Sequence, residues 1–346
     1  MNTAPAPATG STAPALAPAL ARAVDGIRLS ADGRTATVGP RTIEADSARE
    51  LQQRLGAALY EVFHTGRAEA DTRRRPLLVR DHAFERELAA ALPHREVERT
   101  GVLLRPSQDG AGDGAGEALV TWDGVRVRVP AGRLRADGPL TAGAEVRVTA
   151  SPARPALSPG FFYATGSREP HFDAELLRVY VHITDPARAA AVWSAVLGRL
   201  EAAGAGYHAK VLSDADSYPR RDALVVYLGA ESRAACHTVA DAVRGLPGIG
   251  PDTSVFTHRL GPGTAVAWEP DDPRPGAGGL SFGQHRAAAL AEAAVRAHGH
   301  TPAAARAGEA DGSAGADGAE GAFTAAGIDP AAPYRNLGSP ALPPAS

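Results

Sequence analysis

The stretch LRVYVHITDPARAAAVWSAVLGRL, residues 177–200, decides how the second half of this chain folds. From Leu177 to Thr184 the side chains alternate. Leu177, Val179, Val181 and Ile183 are apolar, whereas Arg178, Tyr180, His182 and Thr184 are aromatic, basic or polar. A period of two is a strand with one face turned to a core. Asp185-Pro186 then supplies a helix cap and a first-turn proline, and Val192, Trp193, Val196, Leu197 and Leu200 recur at helical spacing. Outward from this pair, Tyr207–Leu212 and Ala223–Leu228 read as strands and Ser232–Arg244 as a helix. Short strands are expected near Val255–Arg259 and Thr264–Trp268, and Ser281 caps a last helix to about Ala297. The mixed order predicts an α+β class.

Before residue 156 the pattern is different. Ile27–Leu29 and Thr35–Val38 flank an Asp32-Gly33 turn. Ser47 and Glu50 form a capping box for a helix with Leu51, Leu55, Leu59, Val62 and Phe63 on one face. A second helix follows Asp81, with Phe84, Leu88 and Leu92. Thr100–Leu104, Ala118–Trp122, Val125–Val129 and Glu145–Thr149 read as a small β-meander or barrel, with Asp123-Gly124 as a turn and DGAGDGAG as a loop tip. The segment SPARPALSPG leads into Phe161-Phe162-Tyr163, read as the junction between domains. Residues 1–20 and 301–346, rich in Ala, Pro, Gly and Ser, read as disordered tails. The expected organisation is a helical and β-meander domain over 21–155, with a possible role in peptide recognition, then a mixed-sheet α+β domain over 156–300.

A formal charge of −3 over 346 residues argues against a general nucleic-acid or membrane-surface binder. No apolar run approaches the ~20 residues of a membrane span, and the N-terminus lacks the basic and apolar regions of a signal peptide. The single cysteine, Cys236, excludes an internal disulfide, and no Cys/His cluster has zinc spacing. The expectation is a soluble cytoplasmic protein. Its basic residues are unusual: lysine and arginine total 36, yet Lys210 is the one lysine. Arginine can replace lysine wherever a cation suffices, but it cannot act as a neutral amine. A lone lysine is therefore either a relic of drift or a group whose proton must come off.

Alternation places His208 and Lys210 on one strand face, able to meet His182 in a common cleft. Arg220 and Arg221 enter the next strand, where Arg221 and Tyr227 share a face. His258, Arg259, His285 and Arg286 follow. Arginine forks match phosphate oxygens, and the helix after Ser281 offers free N–H groups to an anion, so the inventory suits a dianionic ligand. Taken singly, an arginine pair is usually a solvated face and a strand histidine is more often structural than catalytic. No P-loop, nucleophile elbow or dinucleotide fingerprint competes.

The segments LSPGFFYATG, LLRVYVHIT, YHAKVLSDADSYPRRDALVVYL, FTHRLGPGTAVAWEPD and SFGQHRAAAL resemble the HopA-type effector-like family, over roughly Val24–Ala297 and most strongly from Ser158 onwards. Actinobacterial members occur in the biosynthesis of ribosomal peptides, including class V lanthipeptides. The resemblance implies a lyase-like domain over 156–300. It implies an enzyme that removes phosphate from phosphoserine or phosphothreonine of a precursor peptide, leaving dehydroalanine or dehydrobutyrine. Its implied partners are that phosphorylated precursor and kinase-like and cyclase-like proteins of the same pathway, with neither nucleic acid nor membrane.

VHIT at 181–184 and KVLSD at 210–214 are also similar to the acid and base segments of OspF-type phosphothreonine lyases, with a departure at Leu212-Ser213. Many effector-like members carry Asn where this chain has His182, and Gln284 stands where a bulky apolar residue is expected. Carried over, these likenesses make Lys210 the general base and His182 the general acid. Arg221, Arg259, Arg220, Arg178 and Arg286 would bind phosphate, and Tyr180, Tyr227, His208 and His285 would orient the substrate. This chemistry needs no metal or redox cofactor. Two other readings stay open: a non-catalytic scaffold that grips a phosphopeptide or leader for a kinase or cyclase, and a metabolic enzyme acting on a small phosphate ester.

Overall fold

The computed structural model of the chain describes residues 16–69, 80–107, 116–122, 124–172, 175–275, 277–300, 312–313 and 316–345. Two units emerge from it. One takes Met1–Asp71, Ser254–His258 and Ala267–Pro340, and the other Thr72–Thr253, Arg259–Val266 and Ala341–Ser346.

In the first unit, Pro18 opens α1 (Pro18–Asp25) and Gly26 closes it. Strands β1 (Ile27–Leu29), β2 (Thr35–Val38) and β3 (Arg41–Glu44) form an antiparallel meander through the expected Gly33 turn, where φ is +68°. The Ser47 hydroxyl accepts from the Glu50 N–H, and the Glu50 carboxylate accepts from the Asp46 N–H. This reciprocal cap starts α2 (Ala48–Leu59). The helix does not run on unchanged to Phe63, because Tyr60–Thr65 widens into a π-helix. The wider turn rotates the buried side, so Glu61, His64 and Thr65 face inward while Val62 and Phe63 are only half-buried.

The stretches read from composition as tails contain ordered structure. Leu16, Leu20 and Val24 are buried at the start of the described chain. Near the other end, a strand at Gly312–Ser313 pairs with β1, and a helix at Ala316–Ala325 carries a fully buried Phe323. A few apolar anchors in an Ala/Gly-rich background suffice to order these segments, and composition averages them away. Residues 1–15, 301–311 and 314–315 lie outside the described residues, as do Asp123 and most of the DGAGDGAG loop.

The second unit begins with α3 (His82–Ala90), capped by Asp81 as expected. Strands β4 (Val97–Arg105), β5 (Glu117–Trp122), β6 (Val125–Pro130), β7 (Leu134–Arg135) and β8 (Glu145–Ala150) form an antiparallel sheet in the order β6-β5-β4-β8-β7. Its core is Leu103, Ala118, Val120, Trp122, Val129, Leu134, Val146 and Val148.

Seven further strands build the sheet that carries the candidate site. They are β9 (Ala153–Ser158), β10 (Phe161–Thr165), β11 (Leu177–Ile183), β12 (Tyr207–Leu212), β13 (Arg220–Leu228), β14 (His258–Gly261) and β15 (Thr264–Trp268), ordered β14-β15-β11-β13-β12-β10-β9. Helices α4 (Pro186–Ala202) and α5 (Ala235–Val243) pack together, and α4 also lies on β11 and β12. Asp185 caps α4, which buries Val192, Trp193, Val196, Leu197 and Leu200, with Phe162 edge-on to Trp193. The "junction" Phe161-Phe162-Tyr163 is thus an interior strand. The expected strand at Val255–Arg259 starts later, at His258, because Ser254 folds 254–257 into a turn through its bonds with Phe256 N–H and the Thr257 hydroxyl. The last strands are followed by α6 (Phe282–His300) in the first unit. Ser281 and Gln284 cap it reciprocally, which accounts for a polar residue at 284.

Candidate active site

Antiparallel register brings side chains from four strands into two rows on one sheet face. Tyr163 stands opposite Lys210, Lys210 opposite Val225, and Val225 opposite Tyr180. In the next row Thr165 faces His208, His208 faces Tyr227, and Tyr227 faces Arg178. The sequence-expected neighbours Lys210, His208, Tyr180, Tyr227 and Arg178 therefore do share a surface.

Lys210 is half-buried. Its Nζ lies 3.4 Å from Ser158 Oγ, 4.3 Å from the Phe161 ring centroid and 5.8 Å from that of Tyr227. Ser158 reaches this place through an irregularity. Register shifts between Phe161 and Phe162, and Ala156 takes the left-handed region at φ 65°. For a residue with a Cβ this conformation costs ~1–2 kcal/mol. The Tyr163 hydroxyl and His208 Nδ1 are hydrogen-bonded at 2.8 Å, and Phe172 meets the His208 ring edge-on. Burial, together with the Arg99 and Arg154 guanidinium groups, lowers the His208 pKa to about 4, so the ring is neutral near pH 7. Arg178 lies over the Tyr227 ring at 5.2 Å.

His182 sits where β11 and β13 lose step. Val181 pairs with Leu224 and Ile183 with Arg220, so one residue on β11 faces three on β13, namely Arg221, Asp222 and Ala223. Such a bulge re-aims side chains and is common beside active sites. The His182 N–H donates to Gly263 O and its carbonyl accepts from Gly250 N–H. The imidazole lies so close to Gly250 that a Cβ there would stand 2.3 Å from Nδ1. That Nδ1 is buried and has no hydrogen-bond partner among the described residues. Burial and then Arg221 lower the His182 pKa, against the pull of Asp252 and Asp222.

The arginines divide. Arg221 is half-buried, 3.9 Å from Asp252, and electrostatically coupled to His182. Arg220 is buried and forms a bidentate pair with Asp222, both bonds 2.7 Å, while its guanidinium stands 5.8 Å from the Phe161 ring. Arg259 is exposed on β14, bonded to Gly261 O at 3.2 Å. Four strand spacings separate β14 from β12, roughly 19 Å.

His285 and Arg286 belong to the first unit and are fully buried. His285 Nε2 bonds Asp272 at 2.7 Å, and Arg286 binds His285 Nδ1, Pro333 O and Asn336 Oδ1. Burial pushes the Asp272 carboxyl up, but hydrogen bonds from Arg274 and His285 outweigh it and hold it well below its ordinary value. Their bonding is that of an internal clasp on the chain near Asn336. Sequence reasoning did not single out Ser158, Tyr163, Asp222 or Asp252. For Ser158 and Tyr163 the available signal was the aromatic, β-prone run Phe161–Thr165, which marks a strand. Among the described residues no cluster of three or more His, Cys, Asp or Glu is placed to hold a metal ion, and no helix is long and apolar enough to cross a membrane.

A comparison with curated proteins gives no match. Two solved effector proteins of Pseudomonas syringae, from pv. tomato strain DC3000 and pv. syringae strain 61, align with 14% identity each. Their TM-scores are 0.42 and 0.41; both alignments cover 84% of this chain, with 95% and 97% of the effectors. The model of the HopA1 effector protein family matches residues 152–335, just over half of the chain and all of the sheet that carries Lys210. The chain belongs to the HopA1 effector protein family.

Proposed function

We propose that this chain is a lyase that eliminates phosphate from phosphoserine or phosphothreonine in a ribosomally made precursor peptide. The observation that carries the reading is the setting of Lys210. The chain's one ε-amine sits half-buried between a hydroxyl and two aromatic rings, in a sheet face shared with three tyrosines and Arg178. A plain cation would be served by arginine, as it is at every other basic position apart from histidine.

In this reaction neutral Lys210 takes the substrate Cα proton. The C–H electrons become the Cα=Cβ double bond, the Cβ–O bond breaks, and phosphate departs with a proton from His182. Positioned acids and bases contribute ~10²–10⁴ each. Strands β11 and β12 are two spacings apart, roughly 10 Å, with β13 between them, so a phosphorylated side chain that meets both His182 and the lysine lies across β13. Burial and then Arg221 bias His182 to its neutral form, and a phosphate dianion beside it favours the protonated form that an acid needs. Arg221 and Arg178, half-buried on β13 and β11, are the arginines for the phosphate oxygens. Arg220 acts through Asp222, and Arg259, His285 and Arg286 have no role in this mechanism.

The test is mass spectrometry of a phosphoserine and a phosphothreonine peptide incubated with purified protein, following loss of phosphoric acid. Lys210→Arg retains phosphopeptide binding and loses turnover by more than ~10²-fold. His182→Gln slows elimination, least for substrates with better leaving groups. Binding without turnover by the wild type would instead make the protein a phosphopeptide-holding scaffold. Equal turnover by wild type and Lys210→Ala would end the catalytic reading.

A further inference from the structure

We infer that an arginine-rimmed groove at the end of the five-stranded sheet docks an acidic, extended segment of the peptide substrate, at a distance from the residue that reacts. That the docked peptide is the substrate rests on the lyase reading, whereas the docking itself does not.

The groove is a cavity of about 340 Å³, within the range of sites that hold a few side chains. Trp122, Val127 and Val148 form its apolar lining, and Arg95, Arg128 and Arg133 line it against one carboxylate, Glu96. Two of these arginines have exposed acidic partners: Arg133 pairs with Glu96, and Arg128 with Glu117 at 3.5 Å. All four side chains are about half or more exposed, and exposed pairs are weak enough to exchange for a ligand's carboxylates.

Against Trp122, which lines the groove, the Arg154 guanidinium lies 4.2 Å from the ring centroid. Trp122 Nε1 and Arg154 Nε are buried N–H donors with no acceptor among the described residues. Native interiors rarely leave such donors unmet. The groove thus offers guanidinium groups at its rim and apolar surface within, and a complementary ligand brings carboxylates and apolar side chains.

The backbone favours an extended partner. β6 is the edge strand of its sheet, paired only with β5 among the described strands, and Val125 on it is 59% exposed. An open edge takes an added strand through main-chain hydrogen bonds. A cross-strand row leads from the candidate active site towards the groove and ends at the Arg154–Trp122 contact. Arg154 stands opposite Tyr163, which stands opposite Lys210. From the lysine to the groove is roughly 15–20 Å, about five or six residues of extended chain at ~3.3 Å each. A peptide with its phosphorylated residue at Lys210 reaches the groove with a segment that many short.

The experiment has two arms. In the first, fluorescence anisotropy follows a labelled peptide of alternating glutamate and leucine, its lysine-leucine counterpart and a single-stranded oligonucleotide of matching charge. The acidic peptide binds and weakens with salt, the basic one does not bind, and the double variant Arg128→Glu/Arg133→Glu weakens the acidic peptide about tenfold or more. Both positions are exposed, so the fold tolerates the change. Preference for the oligonucleotide, or equal affinity in the variant, overturns the proposal. The second arm compares a short phosphopeptide with one extended by an acidic segment on either side. The double variant raises KM for one extended form and leaves kcat and the short peptide unchanged; equal losses on all three overturn the proposal. If the wild type eliminates no phosphate, the lyase reading falls and the first arm alone decides the groove.

Discussion

His208 shows how a single residue's surroundings fix its chemistry. Burial and two nearby arginines hold its pKa to about 4, and the Tyr163 hydroxyl is hydrogen-bonded to it. In the unfolded chain the same ring titrates near ~6.5. Between those values the unfolded state binds more protons, so the native state loses stability as pH falls through that window. Above ~6.5 the contribution is complete, and below about 4 it is gone. Thermal melts of wild type and His208→Gln from pH 8 to pH 4 measure this. The difference between the two is constant above pH 7 and shrinks on acidification. A difference independent of pH would mean that the ring is not held neutral.

Among the elements, the β11–β13 bulge determines most about the site. It sets three residues of β13 against His182 and folds Arg220 back onto Asp222. The two side chains are 3% and 6% exposed. Breaking a buried pair by removing one charge costs about 3–5 kcal/mol, because the other is left uncompensated. Asp222→Asn is expected to lower unfolding free energy by about that much in urea, and Arg220→Met/Asp222→Leu to recover most of it. A loss below ~1 kcal/mol for Asp222→Asn would mean that Arg220 finds another partner. The bulge also marks where sequence reading stops. Alternation gave Tyr207–Leu212 and Thr264–Trp268 with their observed limits, because period and propensity are local. It also put Lys210 and His208 on one face. Which residue opposes which is a property of register, and register is not local. Arg220 therefore looked like a phosphate ligand, and Ser158 and Tyr163 passed unnoticed in a segment read as a junction. The π-turn at Tyr60–Thr65 was hidden likewise, since the apolar spacing of Val62 and Phe63 fits an ordinary helix.

For the whole molecule, composition misled most near the C-terminus. Ala, Gly and Pro dominate 301–346, yet Phe323, Ile328 and Asn336 are buried. The partners of Arg286 lie 47 and 50 residues further along, at Pro333 and Asn336, and Trp268 N–H donates to Tyr334 O. Periodicity over a short window has no access to such distant pairings. Deleting residues 312–346 leaves the buried Arg286 without two of its acceptors and uncovers the apolar side of α6. A loss of several kcal/mol is expected, of the order of the chain's whole stability reserve. Hydrogen exchange would show it as lost protection in α2 and α6, and unchanged protection there would make the segment a passive tail.

The solitary lysine also makes the sheet its own reporter. A protease specific for lysine has a single bond to cut in all 346 residues, the one after Lys210. That bond lies in β12, held between β13 and β10. Digestion therefore waits for the middle of the seven-stranded sheet to open and yields two fragments of fixed size. When opening is fast relative to cleavage, the rate of that one cut reads the free energy of opening directly, with no label attached. A bound phosphopeptide that slows the cut has reached the strand that carries the amine.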